Sequence, residues 1–147
     1  MKDVKGCQLP DGYLYHPEHN IWLLIDGDVA TVGMTAYACA VAGEIVELIA
    51  TQKPGQAIKK DRSCATVESA NWVGPILVPF AAELVAINDA LEESPELINR
   101  DPYGKGWIAK LKITDDTFLL NQLKQADEAV IAFEEKMATE GFNGCPV

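Results

Sequence analysis

Basic residues are scarce in this chain of 147 residues. Lys and Arg together number 12 against 22 Asp and Glu, which gives a formal net charge of −10 at pH 7. Binding to nucleic acids and to anionic membranes depends on clustered cationic side chains, so the composition argues against both. The acidic charge fits a protein that docks on basic surfaces of protein partners, and equally one that is simply acidic.

Long apolar runs are absent as well. No stretch approaches the ~20 apolar residues that a membrane-spanning helix needs. The opening residues, Met1 to Gly6, contain no apolar segment of the kind found in signal peptides. We therefore expect a cytoplasmic protein. Hydrophobic residues make up 48% of the chain, enough for the core of one domain.

Cysteine is sparse, and the four cysteines show no Cys-x-x-Cys spacing, so a zinc or iron–sulfur site is not supported. In a reducing cytosol we expect free thiols. Cys39 and Cys64 lie in apolar runs and are predicted to be core residues. Cys7 and Cys145 lie in the terminal segments and are expected to be accessible, either as ordinary surface thiols or as a thiol site. Pairing between them would need Cα atoms within about 7 Å, which the sequence does not establish.

Catalytic motifs are missing too. The chain contains no catalytic triad pattern, no phosphate-binding Walker loop and no dinucleotide glycine fingerprint. His16 and His19 are too few to form a metal site by themselves, and a structural histidine near Trp22 is the better interpretation. We therefore predict a non-catalytic protein without a metal.

Short apolar segments separated by Gly and Pro turns are what the chain does have. This spacing predicts a mainly β fold, either a sandwich or a small barrel. Asp26-Gly27-Asp28 is a predicted hairpin turn, because Asp-Gly readily adopts positive φ. The predicted strands cover residues 21–25, 29–34, 44–48, 64–69, 76–78, 84–87 and 107–113.

Three helical segments accompany these strands. Thr35 can cap a short helix that runs to Ala42 and ends at Gly43. A second helix is predicted over residues 90–98, and the main C-terminal helix over about 125–138. Apolar residues recur at helical spacing in the last of these: Ala126, Ala129, Val130, Phe133 and Met137.

One hairpin-like segment carries the most informative motif. Val67-Glu68-Ser69 is followed two residues later by Asn71, and Pro79 and Glu83 belong to the segment after it. This arrangement resembles the lipoylation hairpin of the glycine cleavage H-protein family, in which Val-Glu-Ser-x-Lys precedes a strand with Pro-x-x-Gly-Glu. The resemblance places Asn71 at the position of the lipoyl lysine and Ala82 at the position of the glycine.

The similarity extends over residues 13–114, and its most specific part is Pro95-Glu-Leu-Ile-Asn99 followed by Asp101-Pro-Tyr-Gly-Lys-Gly-Trp107. It implies a flattened lipoyl/biotinyl-type barrel, a hammerhead of two antiparallel sheets, with short helices and a C-terminal helix. The implied organisation is an N-terminal segment (1–12), the H-protein-like lipoyl-type domain (13–114), a C-terminal helical region (115–140) that Asp115 and Asp116 can cap, and a flexible tail (141–147).

A narrower resemblance is also present. Tyr37-Ala-Cys-Ala40, Cys64-Ala-Thr-Val-Glu-Ser69 and Trp72-Val-Gly-Pro75 are similar to the lipoate-binding H-like proteins of sulfur-oxidising, heterodisulfide-reductase-like systems. Two sets of protein partners are therefore implied: glycine cleavage components, or a heterodisulfide-reductase-like complex.

Asn71 changes what the resemblance implies. A side-chain amide nitrogen is not nucleophilic, so Asn71 cannot be acylated by lipoate, and no cofactor is expected. In the family, the residues at the positions of Glu68 and Ser69 help the modifying ligase to recognise the hairpin. Both residues are equally compatible with a solvated strand end. We interpret the chain as a non-lipoylated binding or accessory protein.

Two alternatives stay open. A cysteine, Cys7 or Cys145, could carry sulfur as a persulfide or mixed disulfide. The protein could also be a lipoate-linked carrier in sulfur oxidation if Asn71 is an engineered change.

The hairpin itself is predicted in some detail. Asn71 should lie at an exposed tip, between a strand that ends near Ser69 and one that starts near Ile76, with Gly74-Pro75 as the turn pair. Asn also suits a turn position with positive φ. Trp72 is either an exposed anchor for a partner or folded back on the barrel. Ala82 is expected to alter the local turn, because it replaces a glycine.

Overall fold

A computed structural model describes residues 1–115 and 122–146. Its strands are β1 (Lys2–Val4), β2 (Cys7–Leu9), β3 (Leu14–His16), β4 (Ile21–Asp26), β5 (Val29–Met34), β6 (Ile45–Ala50), β7 (Ala57–Ile58), β8 (Arg62–Ser69), β9 (Val73–Val78), β10 (Ala81–Ile87) and β11 (Ala109–Asp115). Its helices are α1 (Ala36–Ala42), α2 (Ala90–Glu93), α3 (Leu97–Arg100) and α4 (Ala126–Glu140). None of the helices in these residues is long and apolar enough to cross a membrane.

The strands form two main antiparallel sheets, which confirms the predicted mainly β fold. The larger sheet has six strands in the order β3-β4-β5-β11-β10-β7, and the smaller has three in the order β6-β8-β9. A separate two-stranded sheet, β1-β2, precedes them. The domain core lies among these sheets and includes fully buried apolar side chains such as Leu23, Val32, Val67 and Leu111.

The predicted turn and helix cap in the first half of the chain are confirmed. The β4–β5 hairpin turns at Gly27, whose φ is 63°, and its register pairs Asp26 with Val29. Thr35 caps α1 by accepting a hydrogen bond from the Ala38 amide, and Gly43 follows the last residue of the helix. These features depend on neighbouring residues alone, so sequence patterns capture them.

Several boundaries differ from the prediction. The helix predicted over residues 90–98 is two short helices, because Pro95 disfavours a helical backbone at Ser94, where the first helix ends. The predicted N-terminal segment forms the β1–β2 hairpin, which the sequence prediction missed. Asp115 is the last residue of β11 and Asp116 lies outside the described residues, so the helix cap expected from these two residues stays a prediction.

Helix α4 packs its predicted apolar face into a second, aromatic-rich cluster. Ala129, Phe133 and Met137 are buried against the N-terminal hairpin residues Val4 and Leu9. The two chain ends therefore share one core, so both termini are tied to the barrel.

The C-terminal tail requires a correction. Its residues are fixed to the N-terminal hairpin by a disulfide between Cys7 and Cys145, whose Cα atoms are 5.0 Å apart. The Cys145 amide also donates a hydrogen bond to the Lys5 carbonyl at 2.9 Å, and the Phe142 amide donates one to the Met137 carbonyl at 2.9 Å. Long-range packing thus anchors a segment that composition alone marks as loose.

Candidate functional site

The β8–β9 hairpin is the candidate functional site. Its strands pair antiparallel up to Glu68 and Val73, and the Ser69 amide donates a hydrogen bond to the Trp72 carbonyl at 2.8 Å. Ala70 and Asn71 form the connection between them, and both are exposed. The predicted tip position of Asn71 is confirmed, although β9 begins three residues earlier than the predicted Ile76.

Asn71 does not occupy a left-handed backbone position. The non-glycine residues with positive φ in the described parts of the chain are Lys5, Asn20 and Asp61. The expectation that Asn serves a positive-φ turn position is therefore wrong. An unbranched side chain such as lysine would meet no conformational penalty at this position.

Trp72 folds back on its own strand. Its indole ring lies against Gly74, where an added Cβ would be 2.2 Å from the ring. Trp72 is half-buried and packs against the barrel core. Gly74 and Pro75 therefore lie within β9 and are not the turn pair of the prediction, since glycine is needed here for the close approach of the ring.

Ser69 is a fixed part of the hairpin base. Its hydroxyl donates to the Ala42 carbonyl at 2.6 Å, at the end of α1, and lies 3.4 Å from the Trp72 carbonyl. The hairpin is thereby joined to the helix that precedes β6. Ser69 is thus hydrogen-bonded within the protein and is not a solvated strand end.

Glu68 lies in a row of residues across the small sheet. It pairs in register with Glu47 on β6 and with Val73 on β9, so these three side chains share one face. Glu47 and Val73 are exposed and Glu68 is half-buried. The face beside the tip therefore combines two carboxylates with an exposed apolar side chain.

Lysine side chains lie far from the tip along this hairpin. Lys59 and Lys60 precede β8, whose eight residues end at Ser69. At ~3.3 Å per residue, the strand separates these lysines from the tip by about 25 Å. They do not take the place of a lysine at position 71.

The second half of the motif lies in β10. Ala82 is buried, pairs with Ile58 on one side and with Ile113 on the other, and sits beside a register irregularity at Ala81. The expectation that Ala82 alters a turn is therefore wrong, because the residue lies inside a strand. Pro79 is buried between β9 and β10, and Glu83 is half-buried in β10.

The two histidines form a structural cluster. His16 is 5% exposed and stacks on His19 with ring centroids 4.2 Å apart. Desolvation, reinforced by the neighbouring His19, lowers the pKa of His16 to about 4. The His19 Nε2 atom lies 3.0 Å from the Asp61 carboxylate, a contact that no sequence pattern predicts. Within the described residues no group of three potential ligands could hold a metal.

The cysteines divide into two classes. Cys39 and Cys64 are buried, as predicted, and burial raises the pKa of each thiol to about 12. Cys7 and Cys145 are joined in the disulfide, and Cys7 is only 2% exposed, so the expectation of two accessible free thiols is wrong. Both cysteines belong to packed terminal segments that converge on one side of the molecule.

A flattened barrel of two antiparallel sheets that presents a tight, exposed hairpin defines the class of lipoyl-type carrier proteins. Residues 13–136 match the model of the family described as glycine cleavage H-protein. The chain belongs to the glycine cleavage H-protein family.

Individual relatives agree with this assignment. The chain is 45% identical over 133 residues to glycine cleavage system H protein 5 of Aquifex aeolicus, covering 88% of this chain and 89% of the relative. It is 38% identical over 138 residues to probable glycine cleavage system H protein 2 of Sulfolobus acidocaldarius, covering 92% and 91%. The crystal structure of a glycine cleavage system H protein from Mycobacterium marinum superposes with a TM-score of 0.72 at 26% identity, covering 90% of this chain and 99% of that one.

Proposed function

We propose that this protein is an H-protein-family member that carries no lipoyl group and acts as a binding or accessory protein through its hairpin face. One observation carries the proposal: the exposed tip that the resemblance assigns to the lipoyl lysine holds Asn71. H-proteins are non-catalytic carriers, and this chain keeps the architecture while lacking the acceptor amine.

The residues at the tip do not fit covalently bound lipoate. An amide-linked lipoyl arm requires a primary amine, and Asn71 offers only a carboxamide. Its neighbours Ala70 and Trp72 supply no amine either. The hairpin is therefore interpreted as a surface that partners contact, with no group transferred through it.

The hairpin is rigid enough for recognition. Trp72 is held against Gly74, and Ser69 is hydrogen-bonded to Ala42, so the shape of the tip is fixed before any partner binds. A preformed surface lowers the entropic cost of association. This supports binding by the folded hairpin and not by an ordering loop.

Charge indicates the kind of partner. Glu47 and Glu68 face each other across β6 and β8, and a directly opposed like-charge pair is unfavourable in a sheet. A partner with a basic patch would relieve this repulsion on docking. Glycine cleavage components and a heterodisulfide-reductase-like complex are the proposed candidates, from the family and from the narrower resemblance respectively.

Intact-mass spectrometry tests the proposal directly. The chain is co-expressed with an active lipoate ligase and lipoate, beside the variants Asn71→Lys and Asn71→Gln. We expect no lipoyl mass increment on the unaltered chain or on Asn71→Gln, and an increment on Asn71→Lys. An increment on the unaltered chain would show that another lysine serves as acceptor and would overturn the proposal.

The two alternatives have separate readouts. If the protein is a lipoate-linked carrier with an engineered Asn71, the variant Asn71→Lys should restore the activity of a sulfur-oxidising system. A cysteine-based sulfur carrier predicts a persulfide mass on Cys7 or Cys145, and this requires the disulfide between them to be opened first. Absence of sulfur adducts on the reduced chain after incubation with a persulfide donor would remove the second alternative.

A further inference from the structure

The disulfide between Cys7 and Cys145 joins two elements that lie outside the main sheets. Cys7 is in the separate β1–β2 hairpin, and Cys145 follows α4 in the C-terminal tail, 138 positions later in the sequence. Neither cysteine belongs to a strand of the barrel. The bond can therefore open without breaking a hydrogen bond of the two main sheets.

The two sulfur atoms have unequal surroundings. Cys7 is 2% exposed and belongs to the buried cluster around Phe133. Cys145 is half-buried and lines an open cleft of about 800 Å³ whose walls include Gly6, Gln8 and Tyr103. Cys145 lines this cleft and Cys7 does not, so a thiolate in the cleft would approach the disulfide from the Cys145 side.

We propose that Cys7–Cys145 is a redox-active disulfide that exchanges with a dithiol reductant, and that its reduction releases the C-terminal tail. A thiolate of the dithiol attacks the Cys145 sulfur, the Cys7–Cys145 bond breaks, and Cys7 leaves as a thiolate that takes up a proton. The second thiol of the reductant then displaces Cys145 as a thiol and closes its own disulfide. Two electrons and two protons pass from the dithiol to the protein.

Phe142 stays anchored without the disulfide, because its ring packs edge-on against Tyr37 with centroids 4.9 Å apart and its amide donates to the Met137 carbonyl. Beyond Phe142, few contacts other than the disulfide hold the tail. The Cys145 amide donates to the Lys5 carbonyl at 2.9 Å, and the Lys5 ammonium donates to the Phe142 carbonyl at 3.2 Å. The Cys145 sulfur lies 3.6 Å from the Ala36 carbonyl, which offers an acceptor to the reduced thiol. Exposed hydrogen bonds of this kind open at low free energy once the covalent constraint is removed. The tail then leaves the rim of the cleft. This release of the tail on reduction does not depend on whether the hairpin carries lipoate.

Alkylation and mass spectrometry of the full chain test the exchange. After mild oxidation and denaturation, we expect alkylation of the two free cysteines, Cys39 and Cys64, and not of all four. When the folded chain is treated with dithiothreitol, we expect iodoacetamide to modify Cys145 first, because the other thiols are buried. Hydrogen exchange should then show that the Cys145 amide, which is bonded to the Lys5 carbonyl, loses protection, whereas the Phe142 amide keeps its bond to the Met137 carbonyl.

Matched variants distinguish the effect of losing the disulfide from other effects of the reductant. Cys7→Ala should give an unprotected Cys145 amide and an alkylatable Cys145 thiol before any reductant is added. Cys64→Ala keeps the disulfide and should respond to dithiothreitol as the unaltered chain does. Alkylation of four cysteines after oxidation, or reduction only in denaturant, would overturn the redox-active assignment. Reduction of the folded chain with tail protection unchanged would overturn tail release.

Discussion

The indole ring of Trp72 occupies the space that a side chain at Gly74 would need. A Cβ placed on Gly74 would come 2.2 Å from the ring, closer than atoms can approach. This single contact explains why glycine lies inside β9 and why the hairpin tip has a fixed shape. It also means that Trp72, considered from the sequence as a partner anchor, already contacts its own domain.

We predict that Gly74→Ala displaces the Trp72 ring and destabilises the protein by ~1–3 kcal/mol, the usual cost of overpacking. Urea unfolding should show a lower midpoint, and tryptophan emission of the folded state should shift to the red. Pro75→Ala, an exposed change on the same strand, is the matched control and should alter neither property strongly. An unchanged midpoint in Gly74→Ala would show that the ring does not depend on this contact.

We predict that Asn71→Lys becomes a substrate of a lipoate ligase without any change at Ala82. Ala82 is buried within β10, so it does not shape the tip, and position 71 has no positive φ that would strain a lysine. The measurement is the rate of lipoyl mass gain in Asn71→Lys and in Asn71→Lys/Ala82→Gly. Equal rates are expected. A much faster double variant would place Ala82 in the recognition of the hairpin after all.

We predict that binding to a shared partner competes with a lysine-bearing H-protein and weakens as ionic strength rises, because acidic side chains contribute to docking. Glu47→Gln should weaken this binding and flatten its salt dependence. The same change should slightly stabilise the free protein, by a few tenths of a kcal/mol, since it removes the repulsion opposite Glu68.

Lys112→Gln, which lies on β11 in the other sheet, serves as the surface-charge control for this experiment. Competition binding at two salt concentrations is the readout. Equal binding by Glu47→Gln and the unaltered chain at both concentrations would remove the acidic face from the docking surface.

We predict that the protein loses stability as the pH falls from 6.5 toward about 4 because of His16. Burial lowers its folded-state pKa from 6.5 to about 4, so the unfolded chain binds the proton first. The stabilising contribution is complete above pH 6.5 and is lost by the time the pH reaches about 4. Its order of magnitude is about 3 kcal/mol.

The test compares the free energy of unfolding across this range for the unaltered chain and for His16→Gln. The variant should show a shallower dependence on pH, because its residue 16 does not titrate. Parallel curves for the two proteins would assign the acid sensitivity to other groups.

We predict that loss of the Cys7–Cys145 bond lowers the free energy of unfolding. The bond joins residues 138 positions apart, and the chain-entropy model gives about 4–5 kcal/mol for a loop of this length. Urea unfolding of Cys7→Ala/Cys145→Ala, compared with the oxidised chain, measures the difference. A change well below 1 kcal/mol would show that residual structure in the unfolded chain offsets the loop-closure effect.

Several structural features of this protein could be predicted from its sequence, because they depend on residues close together in the chain. The Asp-Gly turn at residues 26–27, the Thr35 cap and the apolar face of α4 each depend on side chains a few positions apart, and each was found where predicted. The exposed tip at Asn71 was also predictable, because a matching motif fixed its place between two strands. The missing acceptor amine is a property of residue type and needs no structure.

Tertiary structure decided the rest, because these features join residues that are distant in the chain. Cys7 meets Cys145 only because α4 packs on the N-terminal hairpin, and His19 meets Asp61 only through the arrangement of the barrel. Even the short-range contact of Trp72 with Gly74 depends on the core that receives the ring. Sequence patterns report local propensity, whereas these contacts follow from how the sheets and termini pack together.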